Sequence, residues 1–165
     1  MVNLDVETVT LPNGATVDLE IIRHPGAVAV VPLKDDGTVL LIRQYRHAAG
    51  GYMYEVPAGK LDPGEAPRTT AERELVEEAG VRAATWQALG RTISSPGIFT
   101  EVIHLYLAQD LTLVPAAAEE HEVFEVHWLP WGEAMRMATE GEIEDAKTLA
   151  GLMRAQAVLG AGGVV

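Results

Sequence analysis

The chain has 165 residues, a length typical of one domain, and its 12 basic and 24 acidic residues give a formal net charge of −12. This acidic balance argues against binding to nucleic-acid polymers, and no apolar run approaches the ~20 residues that span a bilayer. Cysteine is absent, which excludes disulfides and leaves only oxygen or nitrogen ligands for a metal. No secretory signal is visible, so we expect a cytoplasmic protein with neither a nucleic-acid nor a membrane partner.

The first part of the chain has the apolar patterns of β-strands. The predicted strands are residues 6–11, 16–22, 27–33 and 38–42. Asn13-Gly14 between the first two is typical of a tight hairpin turn, and the nearly continuous apolar run of the third predicts a strand covered on both faces. We therefore predict a small β segment over residues 1–24, which is an appendage or a dimerisation element, and a main domain over residues 25–159.

The clearest helix signal spans residues 67–79. Pro67 suits the first helical position, and Gly80 suits the left-handed position just past the end. We then predict strands over residues 84–92, 101–108 and 122–129, helices over 135–140 and 145–159, and a flexible tail over 160–165. This order of strands, helix, strands and helices predicts an α+β or α/β sandwich.

Carboxylates occupy one stripe of this predicted helix. The positions at i, i+3, i+4 and i+7 are Ala71, Glu74, Leu75 and Glu78. One interpretation is a solvated acidic face with an Arg73–Glu77 ion pair. The Gly/Pro-rich segment 57–65 favours another, because a loop that leads directly into a helix can bring backbone atoms close to a ligand. Carboxylate oxygens on one face suit Mg²⁺ or Mn²⁺, which prefer oxygen ligands.

The complete pattern around the helix resembles a known family. From Gly59 the chain continues through five residues to Glu65, through seven to Arg73-Glu74-Leu75, then through one to Glu77-Glu78 and through one to Gly80-Val81. This pattern resembles the Nudix box of the Nudix hydrolases at every defined position. The resemblance implies an α/β/α sandwich with a mixed sheet. It also implies hydrolysis of a nucleoside diphosphate linked to another moiety.

Three segments outside the box resemble the ADP-ribose pyrophosphatase branch of that family. They are Arg43–Arg46 with the following residues 54–59, the turn Ser94–Glu101, and the acidic run Glu119–Glu122. The resemblance implies Mg²⁺- or Mn²⁺-dependent hydrolysis of ADP-ribose, a small nucleotide sugar, to AMP and ribose 5-phosphate. Two alternatives stay open: a pyrophosphatase for GDP-mannose or other nucleotide sugars, and a non-catalytic module that binds ADP-ribose.

The resemblance also implies roles for individual residues. The expected metal ligands are Glu74, Glu78, Glu122 and the Ala58 carbonyl. The expected catalytic residues are Glu120 as general base, Glu77 as a further ligand, and Arg73, which holds the carboxylates in place. The expected substrate contacts are Arg46, Glu20, Glu65, Ser95 and Glu101. The choice of base among Glu119, Glu120 and Glu122 stays open. A homodimer is implied, in which Glu20 serves the partner subunit's site.

Overall fold

A computed structural model gives the structure of the protein and describes residues 3–115 and 123–161. Its strands are β1 (Asn3–Thr10), β2 (Thr16–Arg23), β3 (Ala27–Pro32), β4 (Thr38–Arg46), β5 (Gly51–Glu55), β6 (Ala58–Lys60), β7 (Val81–Ile93), β8 (Val102–Leu113) and β9 (Phe124–Pro130). Its helices are α1 (Pro67–Ala79), α2 (Trp131–Glu140) and α3 (Ala146–Ala161), and a single 3₁₀ turn spans His47–Ala49.

Strand β3 lies at the centre of the core, and its two faces are buried against different helices. Its neighbours are β6, antiparallel, and β8, parallel, in a four-stranded sheet of order β6-β3-β8-β7. Val28 and Val30 pack with the α1 residue Leu75, whereas Ala29 and Val31 pack in a second cluster with Leu152 of α3. Together with the antiparallel sheet β5-β4-β9, this arrangement confirms the predicted α/β/α sandwich with a mixed sheet.

The two N-terminal strands form a separate antiparallel sheet, paired from Asn3 with Arg23 to Thr10 with Thr16. The predicted turn closes this hairpin, and Gly14 has a φ of +84°, which favours glycine. One end of the hairpin is tied to the main domain, because Ile22 exchanges backbone hydrogen bonds with Ile98 and Thr100. Leu4 and Val6 are 62% and 67% exposed, so the hairpin presents an uncovered apolar surface.

Helix α1 begins and ends where the sequence predicts. Pro67 occupies its first turn, and Gly80 follows it with a φ of +60° and donates its N–H to the carbonyls of Leu75 and Val76. The loop prediction over residues 57–65 is partly wrong. Ala58–Lys60 form β6 and pair with β3, because a short extended segment next to a buried strand satisfies its backbone groups in the sheet.

The C-terminal helices differ from their predicted bounds. Helix α2 starts at Trp131, before the predicted residue 135, because the buried Trp131 side chain anchors its first turn to the core. Helix α3 includes Gly160 and Ala161, the first two residues of the predicted tail, and the rest of the tail lies outside the described residues. Among the described residues, no helix has both the length and the apolar character needed to cross a bilayer.

Candidate active site

Helix α1 places its carboxylates against the short strand β6. Glu78 is buried, and its Oε2 accepts the backbone N–H of Ala58 at 2.8 Å. Glu74 lies over the neighbouring Gly59 so closely that a Cβ added there would be 1.9 Å from its Oε1. Only glycine therefore lets the carboxylate approach the backbone at this position. The Nudix-box glycine and the helix carboxylates form one packed unit.

Arg73 holds this acidic surface together. Its Nη1 donates to Glu74 Oε1 and to Glu77 Oε2, both at 2.8 Å, and its Nη2 donates to the Lys60 carbonyl at 3.3 Å. Burial opposes the charged form of Arg73, but the hydrogen bond to Glu65 and the charges of the helix carboxylates raise its pKa above the ordinary value. These contacts connect Glu74 and Glu77 through a single guanidinium.

Glu65 is part of the same ion-pair network. Its Oε2 accepts from Arg73 Nη2 at 3.2 Å and from the Thr70 hydroxyl at 2.8 Å. The hydrogen bond from Arg73, and then that from Thr70, lower the pKa of the Glu65 carboxyl below its ordinary value. These contacts place Glu65 behind Arg73, at the start of the helix, where it helps to fix the guanidinium.

A cleft of about 700 Å³ opens in front of this acidic surface. This volume lies within the range of roughly 300–1,000 Å³ typical of small-molecule sites. The carboxylates on the α1 side of the cleft are Glu74, Glu77 and Glu78, which we call the acidic wall. Arg46 and Lys147 line the cleft as well and form what we call the basic wall. A ligand that carries phosphate groups and a divalent cation would find partners for both.

A second depression, of about 550 Å³, lies between α1 and β7 and includes Trp86. It shares Arg73 and Glu77 with the cleft but lacks Glu74, Glu78 and Arg46. Because the complete carboxylate set and the basic wall meet only in the larger cleft, we place the active site there.

The basic wall is built on a buried carboxylate, Glu55 of β5. Arg46 binds it in a bidentate manner, with Nε–Oε1 and Nη2–Oε2 distances of 2.7 Å and 2.9 Å, and the Lys147 ammonium contacts Oε2. Burial alone would raise the pKa of Glu55, but the hydrogen bond from Arg46 and the charge of Lys147 outweigh it, and the pKa lies below the ordinary value. The predicted phosphate contact Arg46 is therefore at the cleft and is already held by an ionised partner.

Sequence reasoning missed Glu55, Lys147 and Asp145. Lys147 also pairs with Asp145 at 3.0 Å, and Asp145 accepts the Thr148 N–H at the start of α3. The one available signal was Asp145 three residues before Thr148, which is typical of a helix N-cap. That signal predicts where helix α3 begins. It does not indicate that Lys147 contacts Glu55 of β5.

The remaining predicted substrate contacts divide into two groups. Glu101 lines the cleft, and its Oε1 lies 3.5 Å from Nδ1 of His24, whose side chain is 7% exposed. Glu20 and Ser95 are exposed and do not line the cleft within the described part of the chain, although Ser94 does. The predicted base Glu120 and the predicted ligand Glu122 lie outside the described residues, as does Glu119.

The donor set of the acidic wall suits a hard divalent cation, since it consists of carboxylate oxygens next to a closely packed loop backbone. Within residues 3–115 and 123–161, no group of three His, Asp or Glu side chains is arranged as a complete metal site. Arg73 engages Glu74 and Glu77 instead. Each contact uses one carboxylate oxygen, Oε1 of Glu74 and Oε2 of Glu77, so Arg73 fixes both side chains at the cleft.

Comparison with known proteins agrees with the box and the fold. Residues 23–152 match the NUDIX domain. The chain belongs to the Nudix family. An "ADP-ribose pyrophosphatase" of Mycobacterium tuberculosis is 41% identical to this Nudix hydrolase over 155 residues, which cover 92% of this chain and 75% of that protein.

Two further relatives bear on substrate and fold. A "GDP-mannose pyrophosphatase" of Yersinia enterocolitica is 36% identical over 143 residues, which cover 81% of this chain and 74% of that protein. The solved structure described as "Crystal structure of ADP compounds hydrolase" matches the Nudix hydrolase with a TM-score of 0.85 at 26% identity. That match covers 99% of this chain and 97% of the other.

Proposed function

We propose that this Nudix hydrolase cleaves the pyrophosphate of ADP-ribose in a reaction that depends on Mg²⁺ or Mn²⁺. Water adds to one phosphorus atom while the bridging P–O bond breaks, and the products are AMP and ribose 5-phosphate. The observation that carries the proposal is that one cleft is lined both by the acidic wall on α1 and by the basic wall. The similarity to a mycobacterial ADP-ribose pyrophosphatase over nearly the whole chain supports this choice of substrate.

The acidic wall is the proposed metal site. Glu74 and Glu78 would be ligands together with the Ala58 carbonyl and Glu122, and Glu77 would add a ligand directly or through water. A divalent cation bound there supplies Lewis acidity to the phosphate oxygens and to the attacking water. Arg73 orients the carboxylates by its hydrogen bonds to Glu74 and Glu77. Glu120 is the proposed general base.

The basic wall is the proposed phosphate site. The Glu55 carboxylate uses two N–H groups of Arg46, so the other guanidinium donors are available to a phosphate oxygen. A charge-assisted hydrogen bond of this kind fixes both the position and the orientation of the substrate. Glu101 lies close enough to contact the rest of the substrate, since it lines the same cleft.

A homodimer would complete the site. Glu20 and Ser95 do not line the cleft in the described part of the chain, and the uncovered Leu4 and Val6 of the hairpin give an apolar surface for a second copy. In that dimer, Glu20 would contact the substrate in the partner subunit's cleft. Sedimentation at micromolar concentration tests this: a dimer is expected, and a monomer would contradict the shared site. The cytoplasmic location and the absence of a nucleic-acid partner stay predictions.

The second candidate substrate is GDP-mannose, which the similarity to a Yersinia pyrophosphatase favours. Both substrates present a pyrophosphate to the same two walls, so the cleft geometry does not separate them. Lower identity over a shorter alignment places GDP-mannose second.

Product chromatography tests the function. Purified protein is incubated with ADP-ribose or GDP-mannose, with and without Mg²⁺, and Glu74→Gln is compared with Glu72→Gln. Glu72 is the matched control because it lies on the same helix but pairs with Arg68 at 2.8 Å, outside the cleft. We expect metal-dependent AMP and ribose 5-phosphate from the wild type and from Glu72→Gln but not from Glu74→Gln. Turnover of GDP-mannose alone would contradict the proposed substrate.

A further inference from the structure

Lys147 occupies an unusual position for a lysine in a protein of this charge. Only 14% of its side chain is exposed, and its ammonium lies between the carboxylates of Glu55 on β5 and Asp145 before α3. Lysine side chains are normally flexible and well hydrated, so burial between two carboxylates indicates a specific structural task. Lys147 also lines the cleft, as Arg46 does.

The contacts of Lys147 connect helix α3 to the segment between the two walls. Lys147 contacts Glu55, and the next residue, Val56, donates its N–H to the Thr148 hydroxyl at 2.9 Å. Two residues further, Ala58 donates its N–H to Glu78 of the acidic wall. The short segment from Glu55 to Ala58 is thus fixed by α3 at one end and by α1 at the other.

Arg46 depends on the same carboxylate. Both of its hydrogen bonds to described residues go to Glu55, while 41% of its side chain is exposed at the cleft. The orientation of the guanidinium is therefore no better defined than that of the carboxylate beneath it. Without Lys147, one oxygen of Glu55 would lose its ammonium partner, and the four-residue cluster of Arg46, Glu55, Asp145 and Lys147 would change from neutral to negative.

We propose that Lys147 is a positioning residue for substrate binding, which fixes Arg46 at the cleft by holding Glu55 from the side of α3. This inference rests on the proposed function, because it takes Arg46 as the contact to a substrate phosphate. Lys147 acts on affinity and not on the chemical step, since the network that it supports lies on the basic wall. It also keeps the negative charge of Glu55 and Asp145 balanced next to an anionic substrate.

A double-mutant cycle tests this. Steady-state kinetics with ADP-ribose are measured for the wild type, Lys147→Met, Arg46→Gln and the double variant, with Lys147→Arg to restore the charge. Because the contact between Lys147 and Glu55 joins two charged groups, Lys147→Met is expected to raise KM about tenfold and leave kcat within about twofold. Lys147→Arg is expected to recover most of the lost affinity. In the Arg46→Gln background, Lys147→Met should change KM by less than about twofold, because its effect passes through Arg46.

Lys34→Met is the matched control, since the Lys34 ammonium lies 3.6 Å from the centre of the Trp128 ring, away from the cleft. An unchanged KM in Lys147→Met, an equal rise of KM in both backgrounds, or a loss of kcat alone would overturn the role of Lys147. Failure of the wild type to hydrolyse ADP-ribose would instead contradict the proposed function. The KM of the same variants is then measured with GDP-mannose as the substrate, because its pyrophosphate would also contact Arg46.

Discussion

The acidic and basic walls of the cleft are built in different ways. Glu74, Glu77 and Glu78 come from two adjacent turns of one helix, and the helical period alone brings them to one side. The basic wall joins Arg46 of β4 and Lys147 of α3 through Glu55 of β5. Glu55 and Lys147 are 92 positions apart in the chain. The proposed metal-binding half of the site is therefore local in sequence, whereas the proposed phosphate-binding half exists only in the folded protein.

The two walls also differ in how they are supported. Arg73, whose side chain is 30% exposed, and the backbone of β6 hold the acidic wall. The basic wall depends on a carboxylate that is buried and ionised, and removing one partner of a buried ion pair leaves an uncompensated charge. We therefore expect changes in the acidic wall to affect turnover and changes behind the basic wall to affect binding and stability.

The largest expected effect concerns the acidic run that follows β8. If Glu120 is the general base, Glu120→Gln should lower kcat by about 10²–10⁴-fold, because a positioned base contributes that much to the rate. Glu119→Gln is the neighbouring control and should leave kcat unchanged. Single-turnover kinetics separate the chemical step from product release. A loss of kcat in Glu119→Gln but not in Glu120→Gln would identify Glu119 as the general base instead.

A smaller loss of turnover is expected from Gly59→Ala, which tests the packing of the acidic wall. The new Cβ would meet the Glu74 carboxylate, the far end of a flexible side chain, so the fold should persist while Glu74 moves. A displacement of about 1 Å in an active site can cost about 10²-fold in rate. Gly132→Ala is the control, because nothing lies within 4 Å of its Cβ position. Equal activity of the two variants would contradict the close packing of Glu74 on β6.

A substitution behind the basic wall is expected to lower the free energy of unfolding. Thr148→Val removes the hydroxyl that accepts the buried Val56 N–H at 2.9 Å. An unsatisfied buried donor costs about 1–3 kcal/mol, so the free energy of unfolding in urea should fall by that amount. Thr139→Val removes an exposed hydroxyl that donates to the Met135 carbonyl and should have little effect. If both variants lost a similar amount of unfolding free energy, the buried contact between α3 and Val56 would stabilise the protein no more than an exposed hydrogen bond does.

The smallest expected effect is a change of stability with pH. The pKa of Glu55 lies below its ordinary value, so its ion pairs stabilise the fold above that ordinary value, and the stabilisation is lost as the pH falls through the folded-state pKa. The difference in unfolding free energy between wild type and Glu55→Gln should therefore shrink as the pH is lowered from neutrality to about pH 3. A difference independent of pH would show that Glu55 is not ionised in the folded protein.

Local signals in the sequence predicted much of the fold. Pro67 and Gly80 predicted both ends of α1, and Asn13-Gly14 predicted the hairpin, because these residues determine backbone geometry themselves. The β6 strand was missed because its pairing with β3 depends on tertiary contact. In the site, the helix carboxylates were predicted from spacing. Glu55 and Lys147 were not, since nothing in either local segment indicates the other.

The most direct test of the account compares one residue from each wall. Steady-state kinetics with ADP-ribose at saturating Mg²⁺ are measured for Glu78→Gln and Arg46→Gln. Even residues that only support metal ligands contribute about 10–100-fold, so Glu78→Gln should lower kcat by at least that factor. Arg46→Gln should raise KM about tenfold or more with a smaller change in kcat. A loss of kcat confined to Arg46→Gln, or a Glu78→Gln variant with normal turnover, would contradict the division of the cleft into a metal-binding and a phosphate-binding wall.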